Sequence, residues 1–378
     1  MRQAALVALS FALATLASAA FAASPQTAAQ AAASTPMPGA SAPEAPASMP
    51  ATAGSSGPAS SLSPADQKRF AAIRQYQHDL VTVVALRAEP DYLLGAAILA
   101  RPFGDSSAGL DFDGLSARAA AAPGAGPAQH WVRLVACKGE EDCPNRDALA
   151  WLEKHAADNA AVWIVAMDVA ARKDDAEAER AALHKAAAAK VYDDYYGKAL
   201  AATATAVAVL PPLPDTMTGA HDGQPDNPEG VRVLVSVNAT QASPRPDLEP
   251  VVKSCAPDAV GKHQDTREAC LKLTHTLQWG SSPVARAAGL HIQAQLEAGA
   301  GTANQQSARD LAWQVRQYSA LLQRSLTDPT QASRWLTAAR NGGTELSLIL
   351  ATLRANNVPL NAPADEAAAP ASAGSANP

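Results

Sequence analysis

Apolar residues recur three and four positions apart through most of the chain between Ser63 and Leu360, the period of an α-helix with one buried face. Ser63-Pro64-Ala65-Asp66 offers a capping serine, a proline at the first helical position and an acid in the first turn. Behind it Phe70, Ile73, Leu80 and Val84 keep helical spacing, and Glu89-Pro90 reads as a stop. Further helices are predicted over 92–101, ended by Pro102, and over 113–122, 129–137, 146–155, 160–172, 176–189 and 192–210. Alanine and leucine, both strong helix formers, supply most of these positions.

Five prolines within 211–228 interrupt the pattern, so this stretch is expected to be a boundary or a functional loop. Val231-Arg232-Val233-Leu234-Val235-Ser236-Val237 alternates and is β-branched like a strand, yet its helical neighbourhood favours a helix. Helices are then predicted near 247–255, 265–279, 283–298, 304–325, 330–340 and 344–355. Leu311, Val315, Tyr318 and Leu322 fall on one face of the longest, and Asn341-Gly342-Gly343 is a stop with Thr344 placed to cap the next start. Short helices joined by short turns predict an all-α fold of antiparallel helix pairs, stacked in order as an irregular α-solenoid over 63–210 and 229–360.

Outside that body the composition changes. Residues 1–22 carry one basic side chain (Arg2), an apolar stretch from Ala4 to Leu16, and Ala20-Phe21-Ala22, the layout of a cleaved secretory signal peptide. Residues 23–62 are almost wholly small or polar with one charge, Glu44, and are expected to be a disordered linker; 361–378 reads as a disordered tail. The mature protein is therefore expected in the periplasm, where an even count of four cysteines reads as two disulfides. Local pairing of Cys137 with Cys143 and of Cys255 with Cys270 is the simplest connectivity, and neither spacing suits a metal. The formal charge of −6 argues against nonspecific nucleic-acid binding. No apolar run outside the leader approaches the roughly 18 residues of a membrane span.

Within 158–187, Asn159-Ala160-Ala161-Val162-Trp163 opens a helix, Lys173-Asp174-Asp175 makes a tight turn, and Leu183, Lys185 and Ala186 sit late on a second helix. This stretch resembles a tetratricopeptide unit, in which a tryptophan early on the first helix packs against small residues of the second. Met167 and Glu179 depart from the small residues of that family. The resemblance implies binding of a protein or peptide partner on a concave face, and no functional residue carries over.

Chemistry is sparse. Nucleophile-elbow, zinc-protease, phosphate-loop and dinucleotide motifs are absent, so no catalytic residue, cofactor or metal is expected. Tyr192-Asp193-Asp194-Tyr195-Tyr196 gathers three of the six tyrosines beside two carboxylates. Such a group could form a binding groove or an acid–base pair, or more simply a helix N-terminus whose acids complement the dipole. His221-Asp222 lies in the proline-rich stretch, and His263, His275 and His291 fall on or beside successive helices, where they could converge. The tryptophans at 131, 151, 163, 279, 313 and 335 are expected to pack between helices. The functional expectation is a protein-interaction or scaffolding module. The alternative is an enzyme built on Asp193, Asp194 and His221, or a small-ligand-binding protein.

Overall fold

Helix boundaries are set by side-chain caps and by prolines. The computed structural model describes residues 63–103, 110–137, 143–214, 220–221, 224–225, 227–261, 264–297 and 301–364. The expected leader, the linker, Asp222, His263 and most of the tail lie outside these residues. Sixteen α-helices run in order among the described residues: α1 Pro64–Val84, α2 Pro90–Ala100, α3 Phe112–Ala121, α4 Pro127–Val132, α5 Arg146–His155, α6 Ala160–Ala171, α7 Ala176–Ala188, α8 Tyr196–Ala206, α9 Pro228–Gln241, α10 Glu249–Ser254, α11 Pro257–Val260, α12 Gln264–Gln278, α13 Pro283–Leu296, α14 Gly301–Arg324, α15 Pro329–Arg340 and α16 Glu345–Ala355. A two-residue antiparallel ladder, β1 Ala220–His221 with β2 Gln224–Pro225, lies in the proline-rich stretch.

Many prolines open helices. Pro64, Pro90, Pro127, Pro228, Pro257, Pro283 and Pro329 each occupy the first turn, where the missing N–H has no intrahelical partner anyway. Pro90, expected to mark a stop, is thus a start, and the first helix ends five residues earlier than its turn signal at Val84–Ala85. Ser63, Asn159, Asn227, Ser282, Asp328 and Thr344 accept from first-turn amides as caps. The valine run is helical. Asn227 caps it, and its valines at 231, 233, 235 and 237 are all buried, because α9 packs against α1, α2, α8 and α15 at once. Tertiary burial on several sides overrides the weak strand propensity of the run.

Two large apolar cores result. The first gathers α1, α2, α3, α8, α9 and α15, with Leu94, Leu99, Leu115 and Trp335 essentially inaccessible. The second gathers α5, α6, α7, α10, α12 and α13 around Leu152, Ile164, Met167, Leu183 and Leu273. Both draw on residues before and after 211–228, so that stretch does not separate two packing units. The tightest local pair is α6–α7, turned by Asp174 in the left-handed region and capped by Asp175.

In-order stacking does not describe these contacts. A solenoid lets each pair touch only its sequence neighbours. Here α8 lies against α2, α9, α15 and α16, and α7 lies against α12. The physical reason is α8 itself. Its faces bury Leu200, Ala202, Ala204 and Ala206, so neighbours must close around it rather than extend a line.

The cysteines pair locally. Cys137 joins Cys143 between α4 and α5, with Cα atoms 5.4 Å apart, and Cys255 joins Cys270 between α10 and α12, at 5.6 Å. The second bridge is wholly buried in the second core.

Candidate functional site: a polar seam beside an apolar groove

The two cores meet at the tyrosine–aspartate segment. Tyr192 belongs to the second core, Tyr196 to the first, and Tyr195 packs against both. The helix expected from Tyr192 begins only at Tyr196. Upstream, Val191 forms a parallel bridge with Asn159, and Asn159 exchanges hydrogen bonds with the backbone of Asp193, at 2.7 and 2.9 Å. The two carboxylates then turn the chain. Asp193 Oδ1 accepts from the Tyr195 amide at 2.9 Å and Asp194 Oδ1 from the Tyr196 amide at 3.3 Å, while Tyr195 takes a left-handed φ of 52°. Aspartate side chains compete well for backbone amides, which is why the helix starts late.

Arg245 closes the seam from a segment between α9 and α10. Its guanidinium grips Glu345 bidentately, at 2.9 and 3.1 Å, approaches Asp194 Oδ2 at 3.6 Å, and lies 4.1 Å from the Tyr196 ring centroid. The Asp194 side chain is 2% exposed and that of Glu345 11%, against 32% for Arg245. Ser281 Oγ donates to Asp194 Oδ1 at 3.0 Å and accepts from the Asp194 amide at 3.1 Å. Glu345 also heads α16, where its charge complements the helix N-terminus. Gly197 is required here, since a Cβ would overlap the carbonyl of Gly343.

Burial dominates the electrostatics. It raises the carboxyls of Glu345 and Asp193 above the ordinary range, with Asp194 adding repulsion, and it pushes the Tyr192 and Tyr196 phenols up. Burial works against the charge on Arg245, but Glu345, Tyr196 and Asp194 together more than offset it, so the guanidinium is held charged. Asp193 and Asp194 thus hold backbone amides, Ser281 and Arg245, and together these contacts knot the segment in place.

Beside this knot runs an apolar groove of about 80 Å³, with Tyr196 and Glu345 among its walls. The α9 side supplies Val233, Leu234, Val237, Asn238 and Gln241, and the α14 side Val315, Tyr318, Ser319, Leu322 and Gln323. Both helices rest on α15, whose Trp335 forms the floor and donates from its indole N–H to the Tyr318 hydroxyl at 3.0 Å. Asn238, Gln241 and Gln323 are exposed at the rim, whereas Val233, Val237 and Ile349 are buried. A second cleft of about 450 Å³ lies among α12, α13 and α14, but its Gln278, Gln293 and Asn304 amides bond to one another and to backbone.

The remaining candidates scatter. His221 has its backbone in the small ladder, and His275 lies exposed on α12. His291 bonds Gln295 on α13 at 3.0 Å, and no group of three metal-binding side chains occurs among the described residues. Trp131, Trp163 and Trp335 are buried as expected, but Trp279 lies one residue past α12 and is 77% exposed. Trp151 is stacked between His130, at 3.7 Å, and His155, at 4.4 Å. Burial, together with Arg133 and His155, pushes His130 down to about 4. Sequence reasoning missed Arg245, Ser281 and Glu345. Arg245 and Glu345 lie 100 residues apart, and the only local hints are prolines flanking the arginine and an acid directly after Gly-Gly-Thr.

No protein-family model, curated protein or solved structure matches the chain.

Proposed function

We propose that the chain is an interaction module whose α9–α14 groove receives an apolar side chain from a protein or peptide partner. The carrying observation is the groove itself, an apolar slot between two helices that no described residue fills, rimmed by neutral polar side chains. Concave apolar surface with a few placed polar groups is the usual form of a recognition site. Its size suits one aliphatic side chain; an engineered cavity that holds benzene is nearly twice as large, at about 150 Å³. The tetratricopeptide-like helix pair at 158–187 is consistent with this role but lies away from the groove. Export to an oxidising compartment is part of the proposal. It is supported by two disulfides, and no helix among the described residues is long and apolar enough to cross a membrane.

A photo-crosslinking residue at Asn238 or Gln323, compared with one at Lys272 on α12, tests the reading in the native host. Discrete cross-linked protein at the two groove positions and none at Lys272 is expected. Equal patterns at all three, or a small molecule retained stoichiometrically in native mass spectra with no cross-link, would replace it. Thiol labelling of the denatured, unreduced protein from the same cells should find no free cysteine if the chain is exported.

A further inference from the structure

The second cleft and the chain that follows α16 share one stripe of α14. Past α16 the backbone runs back along that helix. Trp313 donates its indole N–H to the Pro359 carbonyl and Gln314 its side-chain amide to that of Leu360, both at 2.8 Å, and Asp310 Oδ1 accepts from the Ala362 amide at 2.9 Å. From Leu360 to Ala362 the chain thus passes from Gln314 to Asp310. Extended backbone at about 3.3 Å per residue keeps that pace beside a helix rising about 1.5 Å per residue. Residues three and four apart share a helix face, so the line through Gln314 and Asp310 continues to Ser307 and Ala303. Those two side chains wall the cleft of about 450 Å³, opposite Leu290 and Gln293 of α13. The described chain stops at Ala364, one to two helical turns short of Ala303 and heading toward it.

A cation stands at the mouth. Arg286 lies one turn before Leu290 on α13 and is half-buried, and its guanidinium makes no hydrogen bond or ion pair with another described residue. Burial works against its charge, and Asp310 supports it only from a distance. The residues next in the chain are Asp365 and Glu366, then three alanines, 367–369. Glu297, the carboxylate in the cleft wall, already accepts from Gln293 at 2.9 Å.

We propose that segment 365–369 docks in the cleft of its own chain, its two carboxylates beside Arg286 at the mouth and its alanine methyls against Leu290 and Ala303. The amides of Gln278, Gln293 and Asn304 are bonded to one another and to backbone, so small apolar side chains leave none of them stranded. Anchoring at Ala362 gives the segment an effective concentration on the order of millimolar, at which weak contacts suffice.

A photo-crosslinking residue at Ala303 or Ser307 of the purified full chain tests this, with exposed Gln305, on the opposite face of α14, as control. Both cleft positions should give intramolecular cross-links that peptide mass spectrometry maps to 365–369, and Gln305 should give none. Asp365→Lys with Glu366→Lys should lower the yield about threefold, the size of a weak ion pair, and adding Arg286→Glu should restore it. Circular dichroism checks that each variant keeps its helices. Cross-links found only in covalent dimers, cross-links that miss the segment, or equal yield from Gln305 overturn the docking. Unchanged yield after charge reversal, or no recovery with Arg286→Glu, overturns the pairing with Arg286.

Discussion

The seam and the groove share Tyr196 and Glu345, yet they end in opposite states. In the seam the principal polar groups are matched: Arg245 to Glu345 and Asp194, Ser281 to Asp194, Asn159 to Asp193. A few ångströms away, leucine, valine and tyrosine side chains line a slot that none of the described residues fills. The difference teaches where function should be sought. Ionisable clusters draw the eye in a sequence, but burying charges is costly unless they are paired, and here the paired groups tie segments together. Apolar surface left open has no such internal explanation.

The comparison can be broken most forcefully at Arg245. Arg245→Ala leaves Glu345 and Asp194 buried without their countercharge, and a loss of about 3 kcal/mol in urea unfolding is expected. A loss below roughly 1 kcal/mol would mean the knot behaves as a surface ion pair. Gly197→Ala should cost about 2 kcal/mol, because the obstacle is the Gly343 backbone, which cannot swing aside. Glu345→Gln sharpens the electrostatic side. Burial raises the Glu345 carboxyl in the folded protein, so its contribution to stability is fully present below the ordinary glutamate range and is lost as pH rises through the raised value. The stability of the wild type relative to Glu345→Gln should therefore fall as pH rises above the ordinary glutamate value.

His130 has the opposite sign. Depressed to about 4, it contributes stability above its unfolded value that is lost as pH falls, so His130→Gln should soften acid unfolding between the unfolded value, about 6.5, and about 4. Least perturbing of all is Ser319→Phe, expected to shift stability by no more than about 0.5 kcal/mol while abolishing groove-dependent peptide binding. A large destabilisation there would show that the groove is closed in solution.

Much of the fold was legible in residue order. Ser63-Pro64, Asn159 and Thr344 announce helix starts because a cap or a first-turn proline acts within four residues of itself. Cys137–Cys143 and Cys255–Cys270 could be read because short loops bring such pairs together. Pro90 was ambiguous, as the same residue ends one helix and begins another. The start of α8 was misplaced by four residues, because Asp193 and Asp194 bond backbone amides only when Asn159 and Ser281 hold the segment extended.

The amino-acid order by itself determined the all-helical character, most boundaries and the cysteine pairing, since each depends on interactions within a turn or a short loop. Only the tertiary structure decided that the helices close around α8 instead of running in line. It also decided that Arg245 would find Asp194 and Glu345, and that α9 and α14 would leave a gap above Trp335. Those outcomes depend on which apolar faces meet across a hundred or more residues, and a periodic pattern states that a face is apolar without naming its partner.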